Sequence, residues 1–334
     1  MPTHGLTLGK FAPLHRGHQL MIETALREMD EVTVMIYHTS WYEVQLPVRA
    51  AWLRQLYPQI HVIEAWDGPE IISHDREVEI MHEQYILKML DGTKITHFYS
   101  SEFYGEHVSR ALGAVDRRVD DDRVIVPVSG TIIRENPYAC RQYISDVVYR
   151  DLITKCVFLG APSTGKSTLA AALAQKYHTR FVPEYGREYW EQHQVDRRFP
   201  LQGFDAIVAG HLASEERAFL ASDRYCFIDT NAITTYMFSL DYHGAATPYV
   251  TRVAEENASR YDLFFLCGDD IPYEDTPDRS GDQKRHEFQQ AIIADLRRRK
   301  IPYLLLTGTP AERMAAVAEA MARKEGDKTL CRKQ

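Results

Sequence analysis

The chain has 334 residues, 45% of them hydrophobic and 26% charged, with a formal net charge of −8. That is too long for one compact core and suits two domains of about 150–170 residues. The acidic balance argues against a nucleic-acid footprint, and no run approaches the roughly 18 apolar residues of a membrane helix. The N-terminus, Met1-Pro2-Thr3-His4-Gly5, has no charged segment leading into an apolar one. The five cysteines (Cys140, Cys156, Cys226, Cys267 and Cys331) show no paired spacing. The sequence therefore reads as a cytoplasmic protein with reduced thiols, taking neither nucleic acid nor a membrane as partner.

In chain order, Leu6-Thr7-Leu8-Gly9 reads as a first strand and a helix opens at about Gly17. Glu31 to Tyr37 is a second strand, largely apolar as a buried parallel strand should be. A helical pattern follows from Pro47 to Tyr57, where Pro58 stops it. His61–Trp66 is strand-like, His74–Leu90 helical, and His97–Ser101 strand-like again. This alternation predicts a doubly wound α/β domain with a parallel sheet. Between the first strand and helix stands His15-Arg16-Gly17-His18. Two imidazoles three residues apart at a helix start can face one phosphate ligand, although i, i+3 histidines are also a metal-ligand spacing. An apolar run, Val124–Val128, reads as another strand. It leads into Ser129-Gly130-Thr131 with Arg134 one turn on, which is either a second phosphate cradle or an ordinary helix cap. Trp41, Tyr42, Arg49 and Trp52 follow the second strand on the ligand side of such a sheet. An aromatic there could stack on a cationic ring, whereas Trp52 reads equally well as core of its helix.

The second half opens on an apolar strand, Lys155–Leu159. The loop Gly160-Ala161-Pro162-Ser163-Thr164-Gly165-Lys166-Ser167 follows, then Thr168 and a run of helix formers. It matches G-x-x-x-x-G-K-[ST] at every fixed position and in the required strand–loop–helix setting. Backbone N–H groups would wrap the phosphates of ATP, Lys166 would reach the β/γ-phosphates and Ser167 would ligate Mg²⁺. Arg180–Glu184 is a strand ending in an acid, and Tyr225–Asp229 is another. Asp229 is placed either to hold Mg²⁺ or to cap the helix predicted over Thr230–Leu240. Leu263–Cys267 is a further strand. The polar stretch Gly268–Arg285 contains Arg279 and Arg285 and reads as a lid over the ATP phosphates or as a solvated loop. Tyr303–Thr307 is the last strand, and Lys324–Gln334 is a charged tail expected to be disordered. The expected organisation is two doubly wound parallel-sheet domains, 1–152 and 153–325, with a tail over 326–334.

Taken together, Gly9-Lys10-Phe11-x-Pro13-Leu14-His15-x-Gly17-His18 and Ser129-Gly130-Thr131-x-x-Arg134 resemble the HxGH nucleotidyltransferase superfamily. With Ser101-Glu102-x-Tyr104-Gly105 between them and a P-loop directly after, nearly the whole chain resembles the bifunctional NadR family. The resemblance implies a nicotinamide-nucleotide adenylyltransferase joined to a ribosylnicotinamide kinase. ATP, nicotinamide mononucleotide, ribosylnicotinamide and NAD would be its ligands. It implies that His15 and His18 hold the ATP phosphates and stabilise the transition state, with Ser129, Thr131 and Arg134 on the same phosphates. Gly9, Lys10 and Phe11 would lie near the substrate phosphate. The nucleoside would sit near Glu184, Tyr185, Arg187, Tyr189, Trp190, Asp229 and Tyr236, with the proton-accepting carboxylate either Glu184 or Asp229. Family members that act as transcriptional regulators carry a helix-turn-helix module before this point. Here the first strand begins by residue 6, so gene repression is not expected. Oligomeric state is left open, a homo-oligomer among the options.

Overall fold

The computed structural model describes residues 2–71, 73, 75–101, 104–194, 200–272 and 282–333. The chain forms two compact units that divide at Tyr149 and Arg150, against the break expected after residue 152. In the first unit β1 (His4–Gly9), α1 (Arg16–Glu28), β2 (Glu31–Tyr37), α2 (Leu46–Leu56) and β3 (His61–Ala65) come first. Then follow α3 (Arg76–Leu90), β4 (His97–Ser100), α4 (Gly105–Leu112), β5 (Val115–Arg118) and α5 (Gly130–Glu135). The sheet order is β3-β2-β1-β4-β5, and every pairing is parallel. β2 is apolar along most of its length and buried from Val32 to Tyr37, as a strand covered on both faces should be. Leu6, Met35, Ile86, Leu90 and Phe98 form part of one core.

The run Val124–Val128 is not a strand. Val115–Arg118 takes the edge position instead, pairing with β4 from His97↔Val115 to Ser100↔Arg118. Its polar residues are tolerated because an edge strand has one open side. The Asp120 carboxylate accepts the backbone N–H of Ile125 and Val126 at 2.8 Å each, curling 120–126 into a loop. Val124 and Ile125 are left 80% and 69% exposed, so apolarity alone misplaced this strand.

The helix α6 (Asp146–Leu152) leads into the second unit. There β6 (Thr154–Leu159), α7 (Lys166–Lys176), β7 (Arg180–Val182), α8 (Tyr185–His193) and α9 (Gly203–Ala221) come first. They are followed by β8 (Tyr225–Asp229), α10 (Ala232–His243), α11 (Pro248–Glu256), β9 (Leu263–Cys267), α12 (Asp282–Arg298), β10 (Leu304–Leu306) and α13 (Pro310–Lys333). The sheet order is β10-β9-β6-β8-β7, again parallel throughout. Phe158, Leu173, Phe227, Phe265, Leu306 and Val317 lie in one core, with the Phe158 and Phe265 rings stacked at 5.2 Å. Cys156, Cys226 and Cys267 are free buried thiols that pack as small hydrophobes.

Two expectations change here. Arg285 belongs to α12 rather than to a loop, because Phe288, Ile292 and Leu296 recur at helical spacing and bury one face. The tail expected to be disordered continues α13 as far as Lys333, since its Lys, Arg and Glu content favours helix as readily as solvation.

Candidate active sites

In the first unit, the ends of β1, β4 and β5 and the start of α1 surround a cavity of about 440 Å³. It sits at the C-terminal edge of the sheet, where the strand order reverses and ligands bind in such folds. Gly9, Lys10, Phe11, His15, His18, Trp41, Ser129, Thr131 and Arg134 all line it. His15 is the N-cap of α1, and its Nδ1 accepts the Gly17 N–H at 3.1 Å. The His15 N–H reaches back to His18 Nδ1 at 3.4 Å, and the two rings stack with centroids 3.7 Å apart. A nitrogen that accepts carries no proton, so these bonds assign each neutral ring its proton at Nε2. Burial, then the charges of Arg123 and Arg134, depress the His15 pKa to about 4. Burial, His15 and the same arginines hold His18 well below its ordinary value. Both imidazoles are therefore neutral Nε2–H donors at neutral pH.

Ser129 both caps α5, accepting the Ile132 N–H at 3.2 Å, and lines the cavity. Arg134 donates to Thr131 Oγ1 at 2.9 Å and to the Ala12 carbonyl at 3.2 Å, tying α5 to the loop after β1. A Cβ built on Gly130 would stand 3.0 Å from Arg134 Nη1 and 3.7 Å from His15 Nε2. The two sequence signals, more than a hundred residues apart, thus close on one point. Lys10 Nζ and the Arg134 guanidinium carbon lie 5.3 and 5.1 Å from the Trp41 ring centre.

Arg49 and Trp52 do not line this cavity. Trp52 is 1% exposed and is core of α2. Arg49 is fully buried and donates to the carbonyls of Lys10, Tyr37 and Val44. It braces the Lys10 backbone. Conversely Glu79, His82, His107, Asp120 and Arg123 line the cavity, although nothing in their spacing singled them out. Ligating atoms of Glu79, Glu83 and His107 fall within 4.8 Å of one another. Arg76 already bonds both carboxylates, at 3.0 and 2.8 Å.

The second unit has its own cavity, of about 370 Å³, at the C-terminal ends of β6, β7, β8 and β9. Pro162, Ser163, Thr164, Gly165, Lys166, Ser167 and Thr168 form one wall. Gly160 and Gly165 have φ of 140° and 81°, a region that disfavours side chains, and a Cβ on Gly160 would stand 2.7 Å from the Cys267 carbonyl. Ala161 is buried below the loop, where its N–H donates to Gln289 and its carbonyl accepts Lys166 Nζ at 2.9 Å. Asp229 is 1% exposed; its Oδ2 accepts the Ser167 hydroxyl. Its Oδ1 is buried with no hydrogen-bond partner among the described residues. It does not cap α10, because Asn231 does, accepting the N–H groups of Ile233 and Thr234. A hydroxyl beside an uncompensated carboxylate oxygen is a donor set that fits a divalent cation. Glu184 faces the same cavity, and burial, then the Asp229 charge, raise its pKa.

Of the other residues expected on the acceptor, Arg187 and Trp190 line the cavity, whereas Tyr185, Tyr189 and Tyr236 do not. The Tyr185 ring fills the space at Gly210, Tyr189 stacks on His193 at 4.1 Å, and Arg299 covers Tyr236 at 5.2 Å. Arg285 does not line the cavity: it is 6% exposed and donates to the carbonyls of Asp269 and Ile271. Arg279 lies outside the described residues. The sequence offered no signal for Arg313, which is 3% exposed and donates to Thr164, Gly268 and Gly308 carbonyls and to Asp270.

Comparison with known proteins agrees with this geometry. Residues 6–136 match the cytidylyltransferase-like family and residues 155–313 the AAA domain family. The trifunctional NAD biosynthesis/regulator protein NadR of Escherichia coli (strain K12) is 30% identical over 330 residues, covering 90% of this chain and 78% of that protein. The protein of the same description from Salmonella typhimurium (strain LT2) is 30% identical over 332 residues, with the same coverage. The chain belongs to the NadR family. Two crystal structures of NadR protein share its fold, one in complex with NAD and AMP-PNP (TM-score 0.60) and one with NR (TM-score 0.62). Each is 22% identical and covers 96% of this chain, and 97% and 96% of its own. As in other members of the NadR family, a nucleotidyltransferase unit precedes a P-loop kinase unit. No described helix is long and apolar enough to cross a membrane.

Proposed function

We propose that this NadR-family enzyme makes NAD in two steps, both from ATP. Its second unit phosphorylates ribosylnicotinamide, and its first unit adenylylates the resulting nicotinamide mononucleotide, releasing pyrophosphate. The observation that carries the reading is the pair of separate phosphate-binding cavities, one built on His15 and His18, the other on Lys166 and Ser167. The relatives' description as NAD biosynthesis proteins supports the product, and the NR complex supports the acceptor. The cytoplasm is the compartment that supplies both substrates.

In the first unit the mononucleotide phosphate oxygen attacks the α-phosphorus of ATP, and the bond to the β-phosphate breaks. His15 and His18 donate from Nε2 to the phosphoryl oxygens as charge moves onto them, with Arg134, Ser129 and Thr131 holding the leaving pyrophosphate. Lys10, beside Gly9 and Phe11, holds the attacking phosphate. No proton need move, so catalysis is positioning and charge neutralisation. Trp41 lines the same cavity and offers a ring on which the pyridinium can stack.

In the second unit the nucleoside 5′-oxygen attacks the γ-phosphorus and ADP leaves. Glu184 takes the hydroxyl proton: Asp229 is committed to Ser167, and burial beside the Asp229 charge raises the Glu184 pKa, which favours proton acceptance there. Lys166 and the P-loop N–H groups hold the β/γ-phosphates, and Ser167 with Asp229 would hold Mg²⁺, which neutralises phosphate charge when bound. Arg187 and Trp190 enclose the acceptor. Incubation with ATP, Mg²⁺ and ribosylnicotinamide, with products resolved by mass, tests the scheme. The expected products are the mononucleotide and then NAD; an unchanged nucleoside would refute it.

A further inference from the structure

The adenylyltransferase cavity has one cation that this scheme does not use. Arg123 lines the cavity and is exposed, and among the described residues its guanidinium has no hydrogen-bond or ion-pair partner. The other cations on the wall are engaged. Arg134 is tied to Thr131 and to the Ala12 carbonyl, and both Lys10 and Arg134 meet the Trp41 ring. The nearest anion, Asp120, feels the Arg123 charge, but its two oxygens are taken by the N–H groups of Ile125 and Val126.

Those same bonds hold Arg123 in place. The Asp120 carbonyl accepts the Arg123 N–H at 2.9 Å, so one residue closes the turn at both ends. The Val128 N–H then bonds the Val126 carbonyl at 2.7 Å, and Ser129 follows as the cap of α5. The loop that carries Arg123 is therefore pinned and runs directly into Ser129, Thr131 and Arg134. Asp120 and Arg123 both have φ of 52°, where glycine would sit with less strain. An arginine held there at a conformational cost on a cavity wall points to a use for its side chain.

The charge of Arg123 locates its guanidinium. After burial, it is the largest influence depressing the His15 pKa, ahead of Arg134, and His18 feels both arginines. Such an influence weakens with distance, so the guanidinium stands on the side of the histidine pair. His15 and His18 are neutral there and supply donors without charge. Glu79 and Asp120 line the same cavity and add negative charge. A triphosphate entering it meets its anionic oxygens with Arg134 and the one guanidinium left uncommitted, whose planar fork matches phosphate.

We propose that Arg123 is a further phosphate-binding residue of the adenylyltransferase, pairing with the β- and γ-phosphates of ATP and with pyrophosphate as it leaves. This deepens the adenylyltransferase reading given above and rests on it.

The test uses the full chain with ATP, Mg²⁺ and a panel of mononucleotides that includes nicotinamide mononucleotide, with pyrophosphate release as the readout. Arg123→Met should lower kcat/KM for ATP by about 10- to 100-fold, the scale of one lost hydrogen bond from a charged donor. The mononucleotide KM should stay within about twofold, because Lys10 rather than Arg123 meets the attacking phosphate. Arg123→Lys keeps the charge without the fork and should recover part of the loss. In the reverse direction, from NAD and pyrophosphate, the pyrophosphate KM should rise in Arg123→Met and the NAD KM should not. Kinase rate and melting temperature report whether each variant folds. Arg123→Gly suits the left-handed backbone, so it should fold at least as well as wild type and still lose ATP kcat/KM by the same factor. Parameters within twofold of wild type in folded Arg123→Met or Arg123→Gly overturn the proposal, as does a loss confined to the mononucleotide KM. If another mononucleotide is adenylylated and nicotinamide mononucleotide is not, the substrate assignment falls while the role of Arg123 is still measured. Adenylylation of no mononucleotide sinks both.

Discussion

Replacing Arg313 with Met removes a clamp that no sequence motif announces. The guanidinium donates to the Thr164 carbonyl at 2.8 Å, the Gly308 carbonyl at 3.0 Å and the Gly268 carbonyl at 3.3 Å. It also pairs with Asp270 at 2.6 Å. One side chain thus fastens the P-loop, the turn after β9 and the turn after β10. Bonds from a charged donor contribute about 1.5 kcal/mol or more each, and the freed buried carbonyls add a desolvation cost. The Asp270 pair adds less than about 1 kcal/mol, because that carboxylate is 38% exposed. Methionine recovers the packing of the stem, so a net loss of about 3 kcal/mol is expected. For a unit of this size that lowers the unfolding temperature by roughly 6–12 °C. The ATP KM of the kinase should rise at least about tenfold, since Thr164 belongs to the loop that cradles phosphate. Arg313→Lys keeps the charge and loses the fork, and should recover less than half of the stability. The assay is residual kinase activity after brief heating at graded temperatures, with adenylyltransferase activity in the same samples as the control. A kinase inactivation midpoint within about 2 °C of wild type, with an unchanged ATP KM, would refute the clamp.

Lys166→Ala should abolish nucleoside phosphorylation and leave adenylylation of supplied mononucleotide within about twofold, because the two phosphate cradles are separate; a parallel fall in a folded variant would sink the two-site scheme. His18→Ala should do the reverse, lowering adenylylation by about 10²-fold, the scale of one lost transition-state donor, with kinase turnover as control. The pH dependence follows from the depressed histidines. Between pH 6.5 and about 4 the unfolded chain binds protons that His15 does not, so stability of the first unit is fully present above pH 6.5 and is lost as pH falls toward 4. Adenylylation should accordingly show no inflection near pH 6.5 from this pair, and a pH–rate profile with a break there would count against neutral Nε2–H donors.

Much of the chemistry was legible because it depends on local backbone. A phosphate loop needs glycine where φ is positive and a lysine and hydroxyl at the helix start, so Gly160–Ser167 announces itself within eight residues. His15 and His18 are likewise fixed by one turn of helix, which is why their spacing already implied a shared ligand. The alternation of strand and helix set both sheets, since burial on two faces demands long apolar runs.

What only the tertiary structure decided concerns residues whose role depends on what packs behind them. Val124–Val128 has a strand's composition, yet Asp120 takes its backbone N–H groups and Val115–Arg118 pairs at the edge. Arg49 and Arg285 are cations near ligand-binding loops in sequence, and both turned inward to hold carbonyls instead. Asp229 could not be told from a cap until Asn231 was seen to fill that role. Arg313 carries no motif, because a side chain that meets a loop 149 residues away, as Arg313 meets Thr164, leaves no local trace. Local hydrogen-bond geometry is written in neighbouring residues; the partners of a buried charge are chosen by the whole fold.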